Sequence, residues 1–581
     1  MSEDTAKGVA KKKTKKKGTR RGYKFSTLDI ETGKKGNVLQ IRIYNKKYQF
    51  SSFDTWLEFY YFLEKNNDKS EYQNFIAHNG GKFDYISMLY ELLPYTLKSD
   101  VIMSNSLIIC CTINDFKKSV TFQDSMQVMG RSLKVLCKTF KIKVPKQDID
   151  IENIEWIFNH DRNQFDFYLD CDCTSLYEIC TSFMELMGIK KFPFTIASFA
   201  MNQFLTKFQD KSLECHHINT QEAEQKEHLN HEFYSQSYGG GRVEVFRKGE
   251  HPLIYCYDVN SLYPSMMKFY YFPLPPRIVT GKYSDDEMGI FPVSFIQHNR
   301  KLPPFFWNKS DNGMEFIYEG KGVYTSVEIK EAKKYGIYMD IGPGIRFLKK
   351  GKIFARYVDH FYTLRMKNKD NALNLTCKLA LNSLYGKFAE KGEGVAFRQL
   401  TDEQRNEVIK EGTGISMYSE KFNLYQVDTN RKIKHAHKYL SAFVTAYARC
   451  YMFKYLAEYA DHIVYMDTDS IHMPVKMKPE YIGDELGQFK LEYEGKAVYN
   501  GRKQYMIDKK VRFKGIRTTG SLFHEDIDEN DFKDMLENKP VQKSYDSFPA
   551  FKSVIKKGGA CKLTRNTKDI KSAKFMSNFG G

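Results

Sequence analysis

Nothing in this chain approaches the roughly 18 consecutive apolar residues that a membrane-spanning helix requires. The longest candidate, SLIICCTI at 106–113, is the length of a strand, and the N-terminus lacks the apolar stretch of a signal peptide. The expectation is a chain with no membrane segment. Its 11 cysteines include adjacent Cys110 and Cys111 and the run Cys171-Asp172-Cys173, but no CxxC pair. That spacing suits neither zinc nor a disulfide framework and points to a reducing compartment such as a host cytoplasm. His216-His217 and His435-Ala-His437 likewise lack partner ligands at useful spacing. Acid is missing from one stretch: residues 7–24 carry ten Lys or Arg and no Asp or Glu, a large part of the formal net charge of +18. Such a flexible polycation at 1–23 binds phosphate through counterion release, without reading sequence. It would serve equally as a solubilising or localisation arm.

What is present is a globular composition, 42% hydrophobic and 28% charged over 581 residues, enough for about three to five compact units. Residues 24–200 read as one α/β unit. KFSTLDIET and VLQIRIYN alternate as strands, HNGGKFD turns from a strand into a helix, and QFDFYLDCDCTSLYEICTSFMELM is a long amphipathic helix. From 201 a second, strand-rich part opens with YGGGRVEVF and LIYCYDVNSLYP. Pro- and Gly-rich stretches near 273–313 and 342–352 bracket an insertion. A Pro-free helical segment runs from about 354 to 389, a polar and weakly patterned segment from 391 to 438, and then the helix LSAFVTAYARCYMFKYLAEY.

Chemistry is suggested where acids end strands. YMDTDSIH places Asp467 and Asp469 one residue apart after an apolar run, so on a strand they share a face, and their repulsion is most simply offset by a divalent cation. Alone, Asp-Thr-Asp-Ser would equally be a solvated turn. Asp258 ends another strand, and three converging carboxylates could hold two Mg²⁺ ions for phosphoryl transfer. Lys378, Asn382 and Tyr385 fall at i, i+4 and i+7, one helix face on which a lysine can hold a triphosphate and a tyrosine can pack under a base. Gly386 marks either a close approach or the helix end. The first unit repeats the pattern: Asp29 and Glu31 share a strand face, Asp84 starts a helix, and Tyr168 and Asp172 are i, i+4 neighbours, the parts of a two-metal nuclease.

Taken in order, these motifs resemble the protein-primed branch of the family B DNA polymerases, the phi29 type. DVNSLYP, KLALNSLYGKFA and YMDTDS resemble its palm and fingers motifs; LDIET, HNGGKFD and YLDCD resemble its exonuclease motifs, across residues 27–505. The resemblance implies an α/β and α+β multidomain fold: a ribonuclease-H-like 3′–5′ exonuclease domain at 24–200, then a right-hand polymerase domain at 201–581. The palm would comprise 201–275 and 441–510, the fingers 351–390 and the thumb 511–581, with two protein-priming insertions at 276–350 and 391–440. In relatives the first docks the terminal protein and the second closes around DNA.

The resemblance also implies residue roles. Asp258 and Asp469 would bind the metals of synthesis, two Mg²⁺ or Mn²⁺ ions, with Asp467 in support. Tyr263 would be the steric gate against ribonucleotides, Lys378 the triphosphate contact with Arg365 or Lys367 as helper, and Asn382, Tyr385 and Gly386 the lining of the nascent base pair. Lys503 and Tyr505 of KQY would steady the primer, Tyr238, Gly240 and Gly241 of YGGG would link the two activities along the DNA, and Thr445 and Arg449 of TAYAR would contact template. Asp29, Glu31, Asp84 and Asp172 would bind the exonuclease metals, with Tyr168 orienting water. Asn79, Phe83, Ser125 and Lys146 would hold the frayed strand, with Met126 standing where the family usually has Leu. Partners would be template and primer DNA, dNTPs and a terminal protein primer, and the enzyme would be a monomer replicating a linear DNA genome with strand displacement. The competing readings are an oligonucleotide-primed repair polymerase, for which 276–350 should be dispensable, and a non-catalytic DNA-binding protein. A reverse transcriptase commonly has adjacent aspartates, whereas Thr468 separates these.

Overall fold

The computed structural model describes residues 23–209, 232–274, 278–310, 313–369, 372–390, 392–430, 437–513, 527–557 and 564–570, with Ser577 and Phe579. The basic tail before Tyr23, His216, His217 and His435 lie outside the described residues. No described helix is long and apolar enough to cross a membrane, and the nine described cysteines are buried thiols outside any disulfide.

The alternating segments of the N-terminal unit form a sheet. Ser26–Thr32 pairs antiparallel with Val38–Asn45 and parallel with Asn74–Ala77, which pairs parallel with Val120–Asp124. One face is covered by helices Trp56–Asn66 and Asp84–Leu92, whose Trp56, Phe59, Tyr85 and Leu89 are buried with Leu28, Ile30 and Phe75. The other receives helix Arg162–Met187, capped by Asp161 accepting from Gln164 N–H and stopped at Gly188, φ +64°. Thr27 Oγ1 ties that helix to the sheet by donating to the Cys173 carbonyl at 2.8 Å.

The sheet does not stop at the expected boundary. It has ten strands, and three come from the segment expected as the second insertion: Glu393–Gln399 pairs with Ser99–Ser104, and Leu424–Asn430 and Ile415–Ser419 continue beyond it. Buried Gln399 locks the seam, donating to the Leu93 and Phe422 carbonyls at 2.8 Å each and accepting from the Thr96 and Ser99 hydroxyls. Helix Phe551–Lys557, assigned by sequence to the thumb, buries Phe551, Val554 and Ile555 in the same core. The division at residue 200 is therefore corrected: segments near residues 400 and 550 complete the N-terminal unit.

A seven-stranded antiparallel sheet forms the second unit, in the order Lys510–Phe513, Gln504–Ile507, Phe489–Gly501, Gly249–Val259, Ser470–Met473, Tyr465–Asp467, Val243–Val245. Helix Lys438–Glu458, apolar nearly all round, is buried along most of its length, as such a helix must be. Within the segment expected as the first insertion, the described residues from 278 build a five-stranded sheet of their own around Met288–Ile296, with helix Ser326–Lys334 capped by a Thr325/Glu328 capping box. Phe291, Phe306, Trp307 and Tyr324 of this segment share one core with Phe453, Leu456, Met466 and Ile471. It is thus part of the central body, and the expectation that it would be dispensable in a repair polymerase no longer discriminates, because deletion would open that core. The helical run at 354–389 is two packed helices, Ala355–Lys367 and Ala372–Lys387, rather than one, so Arg365 and Lys378 stand on different helices.

Candidate active sites

Asp258 lies at the end of strand Gly249–Val259, opposite Ser470. Val259 N–H donates to the Asp469 carbonyl at 2.8 Å, which brings Asp258 and Asp469 together although 211 residues separate them in the chain. The expectation that Asp467 and Asp469 share a strand face is corrected. Asp467 pairs with Ser470, and Thr468 and Asp469 form the two-residue loop between them. Thr468 has φ +62°, a conformation that costs a β-branched residue about 1–3 kcal/mol. It is held by its N–H donating to the Arg242 carbonyl at 2.7 Å and by the Asp469 N–H donating to the Asp467 carbonyl at 2.7 Å. A Cβ on Gly241 would sit 2.5 Å from Thr468 Cγ2, so YGGG ends in glycine because the loop packs on it.

Burial, then Asp469 and Glu492, pushes Asp258 up to about 8, and Lys378 works against the shift. Burial, then Asp467 and Glu492, raises Asp469 to about 6. Glu492, absent from the sequence-based set, stands at a register shift in strand Phe489–Gly501, between Leu491 and Tyr493; it is exposed and ion-paired to Lys490 at 3.0 Å, and its charge raises both aspartates. Its alternating neighbours in LEYEG give it the look of a solvated strand face. Asp467 is instead paired with Lys503 Nζ at 2.9 Å, and Tyr505 packs beneath on Tyr465 and His472.

Tyr263 follows Ser261, φ +56°, in the first turn of helix Leu262–Phe269; its ring centroid lies 4.3 Å from that of Tyr385. Arg365 Nη1 donates to Ser261 Oγ at 2.9 Å, so it braces this turn from the neighbouring helix; Lys367 lies at that helix's C-terminal end. Lys378 and Asn382 are exposed, Tyr385 is half-buried, and the space a Cβ would take at Gly386 is open, with no described residue approaching there. Tyr238 is half-buried and Gly240 exposed.

The template contacts expected of Thr445 and Arg449 are corrected. Thr445 is buried, with its hydroxyl donated to the Ser441 and Ala442 carbonyls. Arg449 is buried too: Nη2 donates to Glu328 Oε1 at 2.7 Å, Nη1 to the Gly239 and Gly240 carbonyls at 2.9 and 2.8 Å, and the guanidinium lies over Trp307. Trp307 Nε1 donates to the same Glu328 oxygen at 3.0 Å. Arg449 therefore fixes the YGGG loop by its backbone, using two residues, Trp307 and Glu328, whose own sequence context carries no signal of it.

The N-terminal cluster is tighter. Asp29 and Glu31 do lie on one strand face, flanked by buried Leu28 and Ile30. Asp84 and Asp172 are buried. Burial raises Asp29 well above the usual carboxylate range, helped by Asp172, Asp84 and Glu31; it lifts Glu31 and Asp84 to about 7 and raises Asp172. Lys146 reaches into this group, ion-paired to Asp172 and donating to Tyr168 OH at 2.9 Å. Burial pulls its ammonium down, yet Asp172, Asp29 and Glu31 hold it above its ordinary value. Lys146 thus sits on carboxylates. Asn79 adopts φ +68° in the glycine turn, and Phe83 packs on Phe548, ring centroids 4.4 Å apart. Ser125 is a further correction: fully buried, it donates to the Ala77 carbonyl and bonds His78 Nδ1, so it presents nothing to a strand, while Met126 opens the short helix Met126–Met129. The neighbouring Asp124 also ends a strand, with no motif in the sequence to mark it. It braces the glycine turn by accepting from Asn79, Gly81 and Met126 N–H.

Among the described residues no three acidic, histidine or cysteine side chains enclose a point suited to a metal as they stand. The donor set nevertheless fits hard cations. Asp84 Oδ1 and Asp172 Oδ1 are buried with no hydrogen-bond partner, and two groups of crowded carboxylates are left with their repulsion only partly offset, by Lys146 in one and by Lys378, Lys490 and Lys503 in the other.

The model of "DNA polymerase type B, organellar and viral" matches residues 64–168 and 162–462. The chain belongs to this family of DNA polymerases. Type B relatives include probable DNA polymerases of Ascobolus immersus, 27% identical over 88% of this chain and 48% of that protein, and of Agaricus bitorquis, 24% identical over 83% and 71%. The chain thus spans about half the length of the Ascobolus relative. The DNA-directed DNA polymerase of Enterobacteria phage PRD1 is 24% identical over 74% of this chain and 72% of its own. Among solved structures, phi29 DNA polymerase complexed with primer-template DNA and incoming nucleotide superposes with a TM-score of 0.73 at 17% identity, covering 95% of this chain and 100% of that one. That likeness establishes the multidomain type B polymerase fold.

Proposed function

We propose that this chain is a template-directed DNA polymerase with 3′–5′ proofreading, initiating on the hydroxyl of a terminal protein, displacing the strand ahead and acting as a monomer. The observation that supports it most is the meeting of Asp258 with Asp469 across paired strands, beside a separate cluster of Asp29, Glu31, Asp84 and Asp172.

Asp258 and Asp469 would hold two Mg²⁺ or Mn²⁺ ions, with Asp467 and Glu492 at the edge of the set; Asp29, Glu31, Asp84 and Asp172 would hold the exonuclease pair. Bound there, the ions supply an activated attacking oxygen and charge relief for the leaving one. The tyrosine wall of Tyr263 on Tyr385 excludes a ribose 2′-hydroxyl. Lys378 offsets triphosphate charge, Arg365 keeps the Ser261 turn in place, and Asn382 and Gly386 leave their helix face open to the base pair. Lys503 and Tyr505 steady the primer, with Tyr238, Gly240 and Gly241 along the duplex. In the second site Tyr168 orients water, Lys146 yields Asp172 and turns to the strand's phosphates, and Asn79 and Phe83 clasp the unpaired end. The surface of 276–350 receives the protein primer, and the arm at 391–440 encloses DNA.

Primer extension and degradation of a single-stranded 3′ end, each with Mg²⁺ and dNTPs as required, test both halves. Asp469→Ala should abolish incorporation and leave degradation; Asp29→Ala with Glu31→Ala should do the reverse. Wild-type incorporation by Asp469→Ala would sink the assignment.

A further inference from the structure

Helix Leu262–Phe269 starts at the Tyr263 wall and ends, six residues on or about 9 Å away, in an exposed aromatic run. Phe269 is 48% exposed, Tyr270 37% and Tyr271 50%. The chain then pairs Phe272 and Pro273 with Gly351 and Lys350, so the segment 348–352, Leu-Lys-Lys-Gly-Lys, lies alongside. Two contacts make the aromatic run rigid. Tyr270 stacks on Tyr447 at 4.3 Å, and Tyr447 OH donates to the Tyr271 carbonyl at 2.9 Å. Lys352 Nζ hangs 5.3 Å from the Tyr271 ring centroid.

Charge here is one-sided. Lys268 is paired with Asp359 at 2.7 Å and Lys334 with Glu331 at 2.7 Å, whereas Lys349, Lys350 and Lys352 are exposed and form no ion pair with a described residue. Partly exposed aromatic rings, each still offering area beyond the Tyr447, Lys352 and Lys268 contacts, beside three uncompensated ammonium groups are what an unpaired nucleic-acid strand recognises. Bases stack on any aromatic face without regard to sequence, and the phosphates release counterions to lysine. An acidic protein segment would match the lysines but leave the rings without planar partners.

We propose that this surface, 269–271 with 348–352, binds single-stranded DNA, in reach of the strand displaced ahead of the Tyr263 site. The displaced-strand role rests on the proposed synthesis; the binding itself does not.

The test compares the full-length chain on primer-template junctions with and without an oligo(dT) flap of about 15 nucleotides on the downstream strand, by fluorescence anisotropy across a salt series. The flap should tighten wild-type binding about tenfold or more. The combined variant Tyr271→Ser, Lys349→Glu, Lys350→Glu should lose that gain, and its salt slope should fall by roughly 0.7 for each phosphate that lysine no longer neutralises. Tyr271→Trp, which keeps the ring face and lysines, should retain the gain and so separates loss of stacking from misfolding. An equal gain from the flap in wild type and combined variant overturns the proposal. So does a wild-type chain that takes up a polyglutamate peptide through these residues but gains nothing from the flap. Extension on an open single-stranded template reads the proposed function separately: if the wild type fails there, that function falls while the flap comparison still stands.

Discussion

The two carboxylate clusters reach similar crowding by opposite means. In the N-terminal unit Asp29 and Glu31 sit within one strand, Asp84 and Asp172 within helices, and a lysine from a loop occupies the middle. In the central unit Asp469 stands in a two-residue loop whose Thr468 is held at positive φ by Arg242 and Gly241, and the lysine lies to one side on Asp467. The first cluster stores its tension as electrostatic repulsion between buried acids, the second partly as backbone strain. Preorganisation thus has a different physical source in each, and each should fail under a different perturbation.

The sharpest break should come from glycine. A Cβ on Gly81 would lie 2.0 Å from the Ile108 carbonyl oxygen, a backbone atom with no room to yield. Gly81→Ala should cost about 3 kcal/mol and abolish 3′-end degradation, read by thermal unfolding and a nuclease assay. Gly241→Ala meets only the Thr468 side chain; it should cost about 1–2 kcal/mol, yet by displacing Asp469 it should lower incorporation on the order of 100-fold with degradation little changed.

Next in size is the response to pH and metal. Folding raises Glu31 and Asp84 to about 7, Asp258 to about 8 and Asp469 to about 6. A raised carboxyl binds its proton more tightly in the folded chain, so its contribution is complete below about pH 4, the unfolded value, and is lost as pH climbs through the folded one. With chelator present, Tm should fall between pH 5 and 8, and Mg²⁺ should raise Tm more at pH 8 than at pH 5. Asp258→Asn with Asp469→Asn should flatten one share of that fall, and Glu31→Gln with Asp84→Asn the other. A metal effect independent of pH would refute the buried-acid account.

The smallest effect separates the two lysines. Lys503 is half exposed, and Lys503→Ala should change stability by less than about 1 kcal/mol. Lys146→Ala, leaving Asp172 uncompensated among acids, should lower Tm further at pH 8 than at pH 5 in chelator; equal shifts would mean that the lysine is merely peripheral.

Strand-end acids and helix-face spacing made most of both clusters readable from the chain alone, because periodicity fixes which side chains share a face. The rule held at Asp29 and Glu31, inside a strand, and failed at Asp467 and Asp469, where the strand ends one residue early. Thr445, Arg449 and Ser125 were misread because their motifs specify residue type, whereas inward or outward direction is decided by what packs above them. Glu492 carries no sequence signal because it stands at a register shift among exposed, alternating residues, where its spacing matches a solvated strand. Glu328 and Trp307 come from a segment set aside as an insertion, and only its shared core with Phe453 and Met466 shows that it belongs to the body. Likewise, the weak pattern at 391–438 gave no hint of strands that would attach to Ser99–Ser104, since an added edge strand takes its register from its neighbour.

That attachment has a mechanical meaning. The outermost ribbons of the N-terminal sheet belong to 393–430, joined through ladder bonds and the Gln399 seam. A pull that lifts this segment away from the body must first unzip Glu393–Gln399 from Ser99–Ser104. On the proposed function, grip and correction would be wired in series, and a chain that let go by that route would damage its own editor in the same stroke.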